Sequence, residues 1–157
     1  EELLRRSLDS DAVQLVPLSR EVEFLEIYLE IQRTRFPDRL RVSFDVPAEL
    51  ATARVPNLIL QPIVENAIKH GVSAQPGAGR VAISAAQEDG MLVLKVRDDG
   101  PGLSDPPRPP AGRGSGLGLA NTRERLRQLY GDDQRLDLTN VPEGGLEVSV
   151  GLPYVGN

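Results

Sequence analysis

The apolar positions change their period several times along the chain, and each change predicts an element. From Ser19 to Phe36, Val22, Leu25, Tyr28, Leu29 and Phe36 recur at helical spacing, with Phe24 and Ile31 beside them. That spacing predicts a helix with Ser19 as its N-cap, Glu21 near its positive end and Pro37 as its stop. So wide a stripe implies packing on a sheet and on a second surface. Leu40, Val42, Phe44 and Val46 alternate with Arg41, Ser43 and Asp45, the period-two pattern of a half-buried strand closed by Pro47. From Pro56 to His70 the period is helical again, with Gly71 placed as a C′ residue. Pro62 implies either a kink or a ragged start before it, because proline removes a helical hydrogen bond and crowds the carbonyl four residues earlier.

Two further strands, Val81 to Ala85 and Leu92 to Val96, flank Asp89-Gly90, a two-residue hairpin signal. Pro101 to Arg113 holds five prolines and almost no apolar bulk, too rich in proline for a ladder or a helix. Leu117 to Tyr130 returns to helix, with Leu119, Leu126, Leu129 and Tyr130 inward and Gly131 at its end. Leu136 to Asn140 and Leu146 to Leu152 then flank the turn Pro142-Glu143-Gly144-Gly145. Ahead of all these, residues 1 to 9 (EELLRRSLD) read as the last turns of another helix, followed by the connector Ser10-Asp11. The order α, α, β, α, β, β, loop, α, β, β is not regular βαβ alternation. It predicts an α/β two-layer sandwich with a mixed, mostly antiparallel sheet and helices on one face.

A length of 157 residues fits one domain. With 18 Lys plus Arg against 23 Asp plus Glu, the net charge is −5. An acidic chain without a basic face is no general nucleic-acid coat, so no nucleic-acid partner is expected. The lack of cysteine removes disulfides, thiolate nucleophiles and thiolate metal sites, and makes the cytoplasm the default compartment. No apolar run approaches the roughly 20 residues of a membrane span, so no direct membrane contact is expected. His70 is the only histidine. A site of several imidazoles is therefore excluded, as is any mechanism using one His as base and a second as acceptor. The chain opens at Glu1 without a methionine and reads as part of something longer.

Three segments carry candidate chemistry. At about 100° per residue, Glu65, Asn66, Lys69 and His70 of QPIVENAIKHG share one helix face, opposite Leu60, Ile63, Val64, Ala67 and Ile68. That face is either merely solvated, or a site offering an amide oxygen, a carboxylate and a cation to a metal-bound polyphosphate. In Asp98-Asp99-Gly100-Pro101-Gly102, counting by two from Leu92, Leu94 and Val96 aims Asp98 toward the core, which is costly without a partner. A turn aspartate capping its own backbone is one resolution. The other is a buried acceptor for a ligand amino group, as adenine carries, with Gly100 and Gly102 letting backbone approach the base. In Gly112-Arg113-Gly114-Ser115-Gly116-Leu117-Gly118-Leu119, converging N–H groups at a helix start could bind phosphate oxygens. The same glycines would suit a flexible linker, and they form neither a Walker A loop nor a Rossmann fingerprint.

On helix, strand end and helix start in that order, VENAIKHG, DDGPG and GSGLGL resemble the N, G1 and G2 boxes of the GHKL ATP-binding superfamily, which groups gyrase, heat-shock chaperone, histidine kinase and MutL domains. Leu18 to Gly71 and ANTRERL, Ala120 to Leu126, resemble the LytS/YehU-type sensor histidine kinases. The resemblance implies the Bergerat α/β sandwich. Residues 1–17 would be the remnant of a dimerisation and histidine-phosphotransfer helix with its connector, and 18–157 the ATP-binding catalytic domain. It implies ATP and Mg2+, with Asn66 as metal ligand and Lys69 and His70 near the phosphates or ribose. Asp98 would accept from the adenine amino group, with Gly100 and Gly102 shaping the base pocket. Arg113, Gly114, Ser115, Gly116, Leu117, Gly118 and Leu119 would surround the phosphates, and Pro101 to Arg113 would be the ATP lid. Glu65 and Lys69 are the candidate catalytic residues, Glu65 as proton acceptor or orienter.

The activity so implied is that of a protein-histidine kinase, moving the ATP γ-phosphate to a histidine of an upstream dimerisation and phosphoacceptor domain. A response regulator, for instance of the LytTR type, and a membrane-anchored parent belong to the same picture. This chain, mainly monomeric, would then bind ATP without phosphorylating itself. Its rival is an ATPase clamp of the gyrase or MutL kind. Those enzymes carry a water-activating glutamate four residues before the metal asparagine, where this chain has Pro62, which cannot take a proton. A regulatory nucleotide-binding module without turnover is a second alternative. An anti-sigma-type serine kinase is a third, and the segment Leu18 to Phe36 counts against it.

Overall fold

The computed structural model describes residues 15–35, 39–72, 79–100 and 115–155, and at 72 and 115–118 the backbone alone. The chain runs β1 (Leu15–Pro17), α1 (Leu18–Arg35), β2 (Leu40–Asp45), β3 (Arg54–Pro56), α2 (Gln61–Ala67), β4 (Gly79–Glu88), β5 (Met91–Asp98), α3 (Ser115–Tyr130), β6 (Arg135–Asn140) and β7 (Leu146–Pro153). A five-stranded sheet has the order β2-β4-β5-β7-β6. β2 lies parallel to β4, and the other pairs are antiparallel. β1 and β3 form a separate antiparallel pair.

Period-two strands have one apolar face, and here it meets the helices. Leu25 and Leu29 of α1, Ile63 and Val64 of α2 and Leu126 of α3 share one core with Val81, Ile83, Leu92, Leu94, Val96, Val148 and Val150. Burial of each such Leu or Ile contributes about 1.5–3 kcal/mol. The opposite face is polar, with Lys95 paired to Glu147 at 3.9 Å and Arg97 to Glu143 at 3.0 Å. This is the expected two-layer α/β sandwich with a mixed sheet and helices on one face. The β4–β5 turn is made at Asp89 (φ +51°) and Gly90 (φ +77°), as the hairpin signal predicts. Gly131 (φ +61°) ends α3, its N–H donating to the Arg127 carbonyl at 2.8 Å. Among the described residues no helix is long and apolar enough to cross a membrane.

Several expectations need correction. Pro56 does not open a helix; it ends β3, and α2 starts at Gln61. Pro62 therefore sits in the first turn, where its missing N–H has no intrahelical partner to lose, and the ragged start is realised instead of a kink. β1 and β3 are three residues each, too short to display a period. The wide stripe of α1 is buried on one side only: Phe24, Ile27 and Ile31 are 45%, 65% and 59% exposed. Glu21, read as a charge near a helix dipole, is instead buried among the core leucines of α1. Gly71 is no left-handed cap, for it lies within a π-type turn, Ile68–Val72, and is absent from the positive-φ residues. Residues 1–14, with the expected first helix, and Phe36 lie outside the described residues.

Candidate functional site

Asp98 is the last residue of β5, paired with Val81 of β4, and is 6% exposed. The Gly100 N–H donates to its Oδ1 at 2.8 Å, and the Leu146 backbone N–H also binds the carboxylate. Asp98 thus caps its own backbone, the first of the two readings its position left open, and its carboxylate faces the core as the count by two predicts. Three glycines from three segments close around it. A Cβ on Gly71 would stand 2.7 Å from the Asp98 Cγ. One on Gly100 would run into the Gly71 Cα, and one on Gly145 into the Asp98 carbonyl oxygen. Burial pushes the Asp98 carboxyl above its ordinary value, against the pull of the Gly100 and Leu146 N–H groups; Asp99 adds to the rise and His70 opposes it. Gly71 and Gly145 were missed as site residues, one read as a helix cap and the other as turn punctuation. The available signal was Asp98 itself, because a core-facing carboxylate needs neighbours that can approach without side chains.

The polar face of α2 stands as the sequence count has it. Ile63, Val64, Ala67 and Ile68 are buried, Asn66 is half-buried, and Glu65, Lys69 and His70 are exposed. Gln61 Nε2 donates to Glu65 Oε2 at 3.0 Å. Beyond Ala67 the backbone widens into the π-type turn, so Lys69 and His70 leave the positions that ideal helical spacing assigns them. Gly71 in that turn abuts Asp98, which brings the polar end of α2 to the end of β5. Partial desolvation and the Lys69 charge hold His70 below its ordinary value, with Asp98 pulling the other way.

α2 also packs against α3, whose first turns contain Ser115, Gly116, Leu117, Gly118 and a half-buried Leu119. Gly102, Arg113 and Gly114, with the segment Pro101 to Arg113, lie outside the described residues. Among the described residues no group of three or more His, Cys, Asp or Glu could hold a metal. A hard cation bound near the Asn66 amide would take most of its ligands from phosphate and water, the ordinary arrangement for Mg2+ with a nucleotide.

The family described as histidine kinase-, DNA gyrase B-, and HSP90-like ATPase matches residues 53–156, and the family described as histidine kinase matches residues 1–40. Sensor histidine kinase BtsS of Escherichia coli K12 is 40% identical over 141 residues, covering 90% of this chain and 24% of that protein. Sensor protein LytS of Oceanobacillus iheyensis is 34% identical over 162 residues, covering 98% and 28%. The chain thus spans about a quarter of the length of these relatives. The catalytic domain of histidine kinase ThkA superposes with a TM-score of 0.69 at 16% identity, covering 91% of this chain and 97% of that one. Full-length ShkA in complex with AMPPNP gives 0.65 at 24% identity, covering 91% and 32%.

Proposed function

The chain belongs to the histidine kinase-, DNA gyrase B- and HSP90-like ATPase family, as a catalytic domain of the sensor histidine kinase type, and we propose that it binds Mg2+-ATP between α2 and the end of β5. It presents the γ-phosphate to a histidine of an upstream dimerisation and phosphoacceptor domain, to which residues 1–17 lead. The observation that carries this reading is the buried Asp98 carboxylate, enclosed by Gly71, Gly100 and Gly145 and joined to the polar end of α2. A carboxylate so placed suits an exocyclic amine, and the missing Cβ atoms let the three backbones close directly on Asp98 and fix its carboxylate. The nucleotide analogue in ShkA, a protein of the same fold, supports the choice of ligand.

Phosphoryl transfer asks for positioning and charge neutralisation more than for covalent help. Asn66 offers the amide oxygen that would hold Mg2+, which when bound neutralises phosphate charge. Lys69 adds a cation, His70 lines the ribose or phosphates, and Glu65 serves as proton acceptor or orienter. Backbone N–H groups from Gly114 to Leu119 hold the phosphates, with Arg113 beside them, Gly102 lines the base and Pro101 to Arg113 closes as the lid. Pro62 stands where a water-activating carboxylate would be needed, which favours transfer to a protein acceptor over hydrolysis. By itself the chain is mainly monomeric; within a membrane-anchored parent it lies on the cytoplasmic side, and a response regulator receives the phosphate.

Thermal unfolding with and without Mg2+-ATP, with GTP as control, tests the reading. Saturation near 100 times Kd adds about 2.7 kcal/mol, which for a domain of this size raises the midpoint by roughly 5–10 °C. An equal shift with GTP, or none with ATP, refutes it. Asn66→Ala is expected to abolish the extra affinity that Mg2+ confers while leaving metal-free ATP binding within about twofold, since only the metal link is removed. Isothermal titration in Mg2+ and in EDTA measures both, and a parallel loss in the two buffers would assign Asn66 a role other than metal binding.

A further inference from the structure

Glu21 of α1 has no part in the chemistry above, yet it is a charged residue only 2% exposed. Its Oε2 accepts from the Leu58 N–H at 2.7 Å and its Oε1 from the Leu60 N–H at 3.3 Å, and the Ile59 N–H also engages the carboxylate. Leu58 has φ +61°, a left-handed conformation that is costly for a residue with a Cβ, and its side chain is 37% exposed. Leu58 is thus only partly covered, and the carboxylate bonds its backbone N–H directly. The three N–H groups belong to the turn that leads from β3 into α2, and Leu60, the residue that caps α2, has no side-chain cap of its own. Arg125 of α3 lies close enough for its charge to favour the Glu21 carboxylate.

The start of α1 is tied to the same region. Leu18 N–H donates to the Ala53 carbonyl at 2.8 Å and Ser19 N–H to the Ala51 carbonyl at 2.9 Å, while β1 pairs with β3. One buried carboxylate thus connects α1 with the entry to α2.

We propose that Glu21 is a positioning residue for nucleotide binding, fixing the turn at 58–60 and thereby the placement of Asn66 on α2 relative to Asp98 on β5. This rests on the proposed nucleotide site. Two oxygens are needed because the N–H groups of Leu58 and Leu60 bind different ones. A glutamine side chain has one acceptor oxygen, so Glu21→Gln leaves one of these donors facing an NH2 group and weakens the hold on the left-handed turn. The expected consequence falls on ligands that span both elements.

The test compares Mg2+-ATP with adenosine, which needs the Asp98 pocket but not Asn66, by titration of the full chain well below its unfolding midpoint. Glu21→Gln is expected to weaken Mg2+-ATP roughly tenfold while adenosine changes by less than about twofold. In the double variant Glu21→Gln with Leu58→Gly, glycine adopts the left-handed turn without help, and at least about half of the loss, on a logarithmic scale, is recovered. If Glu21→Gln does not fold, Glu21→Asp, which keeps the charge and retracts it, should show the same selective loss at smaller size. A lowered unfolding midpoint with both affinities unchanged would overturn the proposal, as would equal losses for ATP and adenosine. A wild-type chain that binds neither ligand would overturn the nucleotide site itself, and Glu21 with it.

Discussion

Replacing Asp98 by asparagine is expected to weaken ATP binding by about 10- to 100-fold, because hydrogen bonds to a charged group contribute about 1.5–3 kcal/mol. The buried carboxylate already receives the Gly100 and Leu146 N–H groups and has capacity left for an amine. Asparagine has a single acceptor oxygen left to serve the Gly100 N–H, the Leu146 N–H and the amine together. Inosine triphosphate, which carries a carbonyl where ATP carries the amine, separates the two roles of Asp98. It should lose far less than ATP does, and equal losses would confine Asp98 to holding its own loop.

A pH signature accompanies this result. Burial raises the Asp98 pKa, so the ionised acceptor disappears at a higher pH than an ordinary carboxylate would. ATP affinity should be full above that raised value and fall as pH falls through it, and the fall should be absent in Asp98→Asn. Folding follows the opposite sign. A carboxyl whose folded pKa lies above its unfolded value takes up its proton more readily when folded, so its contribution to stability grows as pH drops toward the ordinary value. Affinity is thus lost over a range in which Asp98 itself does not unfold the chain.

Gly145→Ala is expected to be the most destabilising single substitution at the site. Its φ of +113° is a region closed to side chains, and a Cβ there would collide with the Asp98 carbonyl oxygen. Backbone strain of about 1–3 kcal/mol and overpacking of similar size add to about 2–6 kcal/mol, which lowers the midpoint by roughly 4–24 °C. Gly144→Ala is the control, because Gly144 has φ +114° with nothing within 4 Å of its added Cβ. It carries the strain without the collision. Calorimetry of both variants isolates the contact with Asp98, and a Gly145 variant no worse than the Gly144 variant would show that the strand end yields freely.

Much of the molecule was legible in its residues. Val81, Ile83 and Ala85 alternate because a strand alternates its faces, and Asp89-Gly90 adopts the positive φ values that close a tight hairpin. The inward aim of Asp98 and the outward face of Glu65 and Asn66 follow from the same local geometry, whereas the π-type turn Ile68–Val72 resets Lys69 and His70. β1 and β3 were not legible, since three residues carry no period and their pairing joins distant segments. The exposed flank of α1 was not either, since a helix stripe says what can be buried but not what is there to bury it.

Sequence by itself determined the longer elements and which polar groups they offer, because periodicity, turn chemistry and capping act over a few residues. Tertiary structure alone decided that Gly71, Gly100 and Gly145 enclose one carboxylate, and that Glu21, 37 residues before Leu58, holds the turn ahead of α2. Those arrangements depend on the approach of backbones from separate strands and helices. That approach is set by how the layers pack, and no local pattern encodes it.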